Sequence, residues 1–156
     1  MSLSQINYVY IIAHASTIDR VIIMTKNRQF FTTTDRDLSH PPFPVDSNPP
    51  YIPGRITDDL LARAPIHDAS VDGLIATQSH LNPAYARHLL GGGEHRQGPG
   101  AAALIVRVGD KRYLDDGTHR ASVAKLSGNG TVRAKEVELI DGQFVPVSSP
   151  GAGPAA

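Results

Sequence analysis

The 156-residue chain contains no cysteine, and this one absence excludes disulfides, thiolate metal ligation and thiol catalysis together. It also has no net charge. Fifteen basic and fifteen acidic residues cancel, so no global field draws the chain toward nucleic acid, and any such binding has to be local. No run approaches the roughly 18 apolar residues that a membrane span needs. The opening "MSLSQINYVYIIAHA" has neither the basic flank nor the small-residue cleavage site of a secretory signal. A soluble cytoplasmic protein with no membrane partner is the expectation. What is present is an ordinary globular balance, 40% apolar and 19% charged residues, enough for one domain over 1–146 with a real core.

The first forty residues read as a β meander. "INYVYIIAHA" is apolar on both alternating faces, "RVIIMT" follows a polar turn, and "FFTTT" follows "KNRQ". Residues 41–56 form a proline-rich loop, since six prolines between His40 and Pro53 can sustain neither a helix nor a full hydrogen-bond ladder. Thr57 then caps a short helix that Asp58 and Asp59 favour and Pro65 stops. Asn82, Pro83 and Gly91 bound a second helix as N-cap, first residue and terminator. "ALIVRV" and "KRYLD" are strands joined at Gly109-Asp110, and "TVRAKEVELI" and "QFVPV" are strands around Asp141-Gly142. Between the two hairpins lies a helix from Thr118 to about Ser127, with Ala121, Val123, Ala124 and Leu126 on its buried side. The tail 147–156 reads as disordered. The predicted fold is α+β: a mixed sheet with two or three packed helices, and the meander as an extension of that sheet.

The chemistry concentrates in "YLDDGTHRASVAKLSG", Tyr113 to Gly128. A purely structural account makes Asp116 and Gly117 the turn, Thr118 the N-cap, and His119 and Arg120 solvated. Against it, cations at a helix start oppose the macrodipole by roughly 0.3–1 kcal/mol each, so a sequence chosen for stability alone would place acids there. Free amides, the dipole and two cationic side chains together describe an anion site.

The segment "VRVGDKRYLDDGTHRASVAKLSGNGTVRAKEVEL", with "GLIATQSHL" upstream, resembles the ParB/sulfiredoxin-like superfamily. That resemblance covers roughly half the chain and places a module of this fold at 66–146. It implies that Gly117, Thr118, His119 and Arg120 meet the phosphate of a nucleotide, with Gln78 beside them. It further implies a metal-dependent nuclease or nucleotide hydrolase in which Asp116, His119 and Arg120 are catalytic and Asp115 and Asp116 hold Mg²⁺ or Mn²⁺. Two departures narrow the reading. Sulfiredoxins act through a cysteine where Thr118 stands, so sulfinic acid repair is excluded, and too little chain follows the motif helix for a chromosome-partition clamp. Between Ile66 and Ile140 nine basic and eight acidic residues leave a net charge of plus one. A nucleotide or a short single strand therefore suits the module better than duplex DNA. The alternative is a non-catalytic nucleotide sensor or a partner-binding protein with a vestigial site.

Other features carry less. "LLGGGEHRQGPG" reads as a plain linker sooner than as a lid bearing His95 or Arg96, and it lacks the Gly-Lys-Ser/Thr ending of a P-loop. His88, His95 and His119 have no zinc-ligand spacing, and His88 is expected on the exposed side of its helix.

Overall fold

The computed structural model describes residues 8–14, 17–24, 30–33, 37–98 and 100–148. The strands β1 (Tyr8–His14), β2 (Thr17–Met24) and β3 (Phe30–Thr33) form the expected antiparallel meander. It is a separate three-stranded sheet, however, and not an extension of the main one. One edge of the main sheet is already taken. The proline-rich loop runs along it, where Asp46 N donates to Ala76 O at 2.9 Å and Ala76 N donates to Pro44 O at 2.8 Å. The predicted tail beyond Ser148 lies outside the described residues.

The main sheet has six strands: β4 (His67–Ser70), β5 (Leu74–Ala76), β6 (Ala103–Val108), β7 (Lys111–Asp116), β8 (Thr131–Ile140) and β9 (Gln143–Pro146). Its order is β4-β8-β6-β7-β5, with β9 pairing the second half of β8. The sheet is mixed: β5–β7 and β6–β8 are parallel, while β6–β7, β4–β8 and β8–β9 are antiparallel. Both antiparallel turns form where Gly109-Asp110 and Asp141-Gly142 predict them. At the second, Asp141 and Gly142 both take positive φ (50° and 76°), which is the backbone that a two-residue hairpin with right-handed strand twist requires.

Among the described residues three α-helices accompany the sheet: α1 (Asp58–Arg63), α2 (Pro83–Leu90) and α3 (Thr118–Leu126). Thr57 and Asn82 cap α1 and α2 as their side chains predict, accepting from Leu60 N and Tyr85 N. One sheet face buries Leu74, Ile105, Leu114 and Ala134 against Ala121 and Ala124 of α3. The other buries Val106, Tyr113 and Val137 against Tyr51 and Leu60. Val123 and Leu126 of α3 pack instead on Ala86 and Leu90 of α2. So α3 is fixed on two sides, against the sheet and against α2, and its first turn is held at the end of β7.

Candidate phosphate site

The turn into α3 forms one residue earlier than the sequence suggests. Gly117, with φ +90°, is the N-cap, and Thr118 is the first helical residue. Asp116 Oδ1 accepts from Gly117 N at 2.7 Å, and the left-handed glycine then swings the chain directly into the helix. Thr118 is therefore no cap. It is 2% exposed, and its Oγ1 has no hydrogen-bond partner.

Three consecutive helical side chains leave the axis about 100° apart, so Thr118, His119 and Arg120 do not converge on a single point. His119 turns toward α2, where its Nε2 accepts from Asn82 N at 2.8 Å. That bond places the lone pair on Nε2 and the proton on Nδ1. Burial, then the positive charge of Arg96 and the nearby His95, hold the His119 pKa below the usual imidazole value and keep the ring neutral.

Arg120 turns the other way. Its Nη2 donates to Ala102 O at 3.1 Å, whereas Nε and Nη1 are shielded from water and have no partner. Burial lowers the pKa of this guanidinium, opposed by Asp116 and Tyr85. A shielded cation with two unmet N–H groups is costly, at roughly 1–3 kcal/mol per unmet donor.

The surroundings of His119 are built by α2 and the segment after it, and His119, unlike Arg120, does not line the cleft described below. Tyr85 of α2 is the centre. Its ring lies 5.1 Å from the His119 ring, 5.9 Å from that of His95 and 6.2 Å from that of His88, and the Arg96 guanidinium sits 4.4 Å from its centroid. Its hydroxyl accepts from Arg96 N at 3.2 Å. The segment after α2 is thus a wall of the site and not the plain linker its glycines suggest. Burial and the charge of Arg120 lower the His95 pKa. His88 is exposed, as expected, but stacks on Tyr85 and lies 3.1 Å from Glu94 O through its Nε2. The spacing Tyr85-His88, three apart on a helix, was the available sequence signal. Beside Arg120 a cleft of about 430 Å³ opens between α3, this wall and the start of β8.

The two carboxylates have different neighbours. Asp115 falls where the β6–β7 register slips, since Leu104 faces Asp116 and Ile105 faces Leu114; this is a bulge, a device common beside functional sites. Its Oδ1 accepts from Tyr51 Oη at 2.8 Å, so one of its two oxygens is engaged in the fold. Burial, reinforced by that carboxylate, raises the Tyr51 pKa, so the hydroxyl stays protonated and donates. Asp116 is exposed and caps Gly117 N. One oxygen of Asp115 is thus engaged by Tyr51 and one of Asp116 by the turn. Among the described residues no three His, Asp or Glu side chains gather as metal donors. Gln78 is exposed after β5 and does not line the cleft.

Tyr51→Phe is expected to lower stability by about 1–2 kcal/mol, because the half-buried Asp115 loses its donor. Urea melts at neutral pH measure this, and an unchanged midpoint would show that water replaces the tyrosine at no cost. Among the described residues no helix is long and apolar enough to cross a membrane. Comparisons with known protein families and with curated proteins give no match to the chain.

Proposed function

We propose that this chain binds a phosphate-bearing small molecule, a nucleotide or the end of a single nucleic acid strand, with Arg120 as the principal contact. The observation that carries the reading is the Arg120 guanidinium, with two N–H groups unmet beside an open cleft. An anion there supplies acceptors to donors that the fold leaves without them, and the place of Arg120 in the first turn of α3 adds the attraction of the helix dipole. The resemblance of the Asp-Gly-Thr-His-Arg turn to the ParB/sulfiredoxin-like superfamily supports the same ligand class. The α+β architecture with a mixed sheet is compatible with it.

Binding without turnover is the form of this function that the geometry favours. A general base needs a free lone pair, and the one on His119 Nε2 already accepts from Asn82 N. The divergent neighbours of Asp115 and Asp116 likewise weigh against metal-assisted hydrolysis as the sequence outlines it. His119 then acts by positioning the first turn of α3 against α2, and Asp116 by shaping the turn.

Arg120→Ala is expected to abolish phosphate binding, measured by calorimetry or by amide shifts in the first turn of α3. Stability should change by less than about 1 kcal/mol, since the lost bond to Ala102 O is offset by removal of two unmet donors and a cation at a helix start. Retained phosphate affinity in Arg120→Ala would overturn the reading. Nucleotide or phosphodiester turnover that requires Mg²⁺ and stops with a chelator would restore the hydrolase.

A further inference from the structure

We infer that the cleft beside Arg120 takes the sugar and base of a nucleoside monophosphate, with its single phosphate on Arg120. The inference rests on the phosphate-binding reading above and adds the class and size of the ligand. Arg120, Val123, Ala124 and Ser127 all line this cleft, and their spacing of three, four and seven places them along one stripe of α3. The stripe is graded: a guanidinium at one end, apolar carbon in the middle, and at the other a hydroxyl that donates to Ala124 O at 3.3 Å and keeps its lone pairs as acceptors. Leu89 of α2 and Val132 of β8 add apolar surface to the lining. Asn129, just past the helix, adds an amide near the hydroxyl end. A ligand matched to that order has an anion, then an apolar-faced planar body, then hydrogen-bonding groups at its far edge. A nucleoside monophosphate has this order.

Size and charge set the limits. At about 430 Å³ the cleft is near the lower end of the roughly 300–1,000 Å³ range of small-molecule sites, room for one base and sugar and not for a strand. The charged side chains in its lining are Arg120, Arg133 and Glu94, a net of one positive charge when His95 is neutral. A monophosphate, at about −1.5 to −2 near neutral pH, comes nearer to that balance than any longer phosphate chain. A triphosphate brings charge that no further cation in the lining meets, and Glu94 repels it. Arg120 Nε and Nη1 are shielded, so a bound phosphate requires a side chain of the wall to turn aside, and His95, which lines the cleft and responds to the charge of Arg120, is placed to do so.

The test is a set of titrations of the full chain with inorganic phosphate, the four common nucleoside monophosphates, ATP and a ten-nucleotide single strand. At least one monophosphate should bind about tenfold or more tighter than inorganic phosphate, and ATP no tighter than the corresponding monophosphate. Ser127→Tyr, which narrows the cleft away from Arg120, should erase that advantage and leave inorganic phosphate binding unchanged. Ser127→Ala, which keeps the space, should retain most of it and guards against a tyrosine variant that fails to fold. Phosphate binding through Arg120 with no gain for any monophosphate would overturn this inference and leave the phosphate site standing. A preference for ATP or the strand would overturn the ligand class. Absence of binding by phosphate and nucleotides alike would overturn both readings.

Discussion

Gly117→Val should destabilise the protein by more than about 3 kcal/mol and remove phosphate binding with the fold. Two costs add. Gly117 sits at φ +90°, where an L-residue pays roughly 1–2 kcal/mol, more when the side chain is branched. A Cβ there would also lie 2.6 Å from Ala103 Cβ, 2.9 Å from Ala103 Cα and 3.0 Å from Arg120 Nη2. The first two belong to the start of β6, which is paired on both sides and cannot yield cheaply, and overpacking of this kind typically costs about 1–3 kcal/mol. Because the third contact is the group proposed to hold the anion, even a variant that folds should bind phosphate poorly. Gly117→Ala carries the same Cβ, and in that background Ala103→Gly should recover part of the loss by removing the shortest contact. Thermal melts of the single and double variants check this. If Ala103→Gly recovers nothing, the damage is backbone strain alone and the close approach to β6 is unimportant.

The same residue shows what could be read from the sequence. A turn between Asp116 and the helix was legible, because Asp-Gly before a run of helix formers leaves few alternatives. Which residue caps it was not. Thr118 has the better capping side chain, but Asp116 engages the glycine amide and the left-handed Gly117 lets the helix begin at once, so the threonine is drawn inside. The hairpins at 109–110 and 141–142 and the caps Thr57 and Asn82 follow from local chemistry and form as predicted. The meander forms too, but its place in the sheet depended on whether an edge was open, which no local signal records. At the site, Arg120 was legible as a cation in an unfavourable position. Tyr85 was not, and His95 and Arg96 stood only in the less favoured lid reading, because their roles arise when α2 and the segment after it are folded back over α3.

Glu136 is the clearest case of a residue whose importance only the fold discloses, and its replacement by leucine should cost about 3 kcal/mol. In sequence it is an acid among valines and lysine, the pattern of an exposed strand position. In the structure it is 1% exposed. Its Oε2 accepts from Arg107 Nε at 2.6 Å, and its Oε1 lies 3.0 Å from Arg112 Nη2 and 3.2 Å from His67 Nε2. One carboxylate thereby ties together β4, β6, β7 and β8, and Arg112 Nη1 extends the network to the carbonyls of Ser70 and Asp72. Burial alone would raise the Glu136 pKa, but Arg112 and then Arg107 outweigh it and hold the group below its ordinary value of 4.5. The sign of the pH dependence follows. Between the lowered folded value and 4.5 the unfolded chain binds more protons, so this contribution is fully present above about pH 4.5 and is lost as the pH falls through the folded value. Removing the carboxylate leaves two cations facing each other with side chains only 32% and 23% exposed, and their partial access to water keeps the cost toward the lower end of the roughly 3–5 kcal/mol seen for broken buried pairs. Urea melts of the wild type, Glu136→Leu and Glu136→Gln at neutral pH and near pH 3 test this. The wild-type advantage over Glu136→Gln should be large at neutral pH and shrink on acidification. An advantage that is the same at both pH values would mean that it does not come from the ionised carboxylate. Replacing Arg107 and Arg112 by leucine in the Glu136→Leu background should restore much of the loss, since an apolar trio of similar volume leaves no charge unpaired.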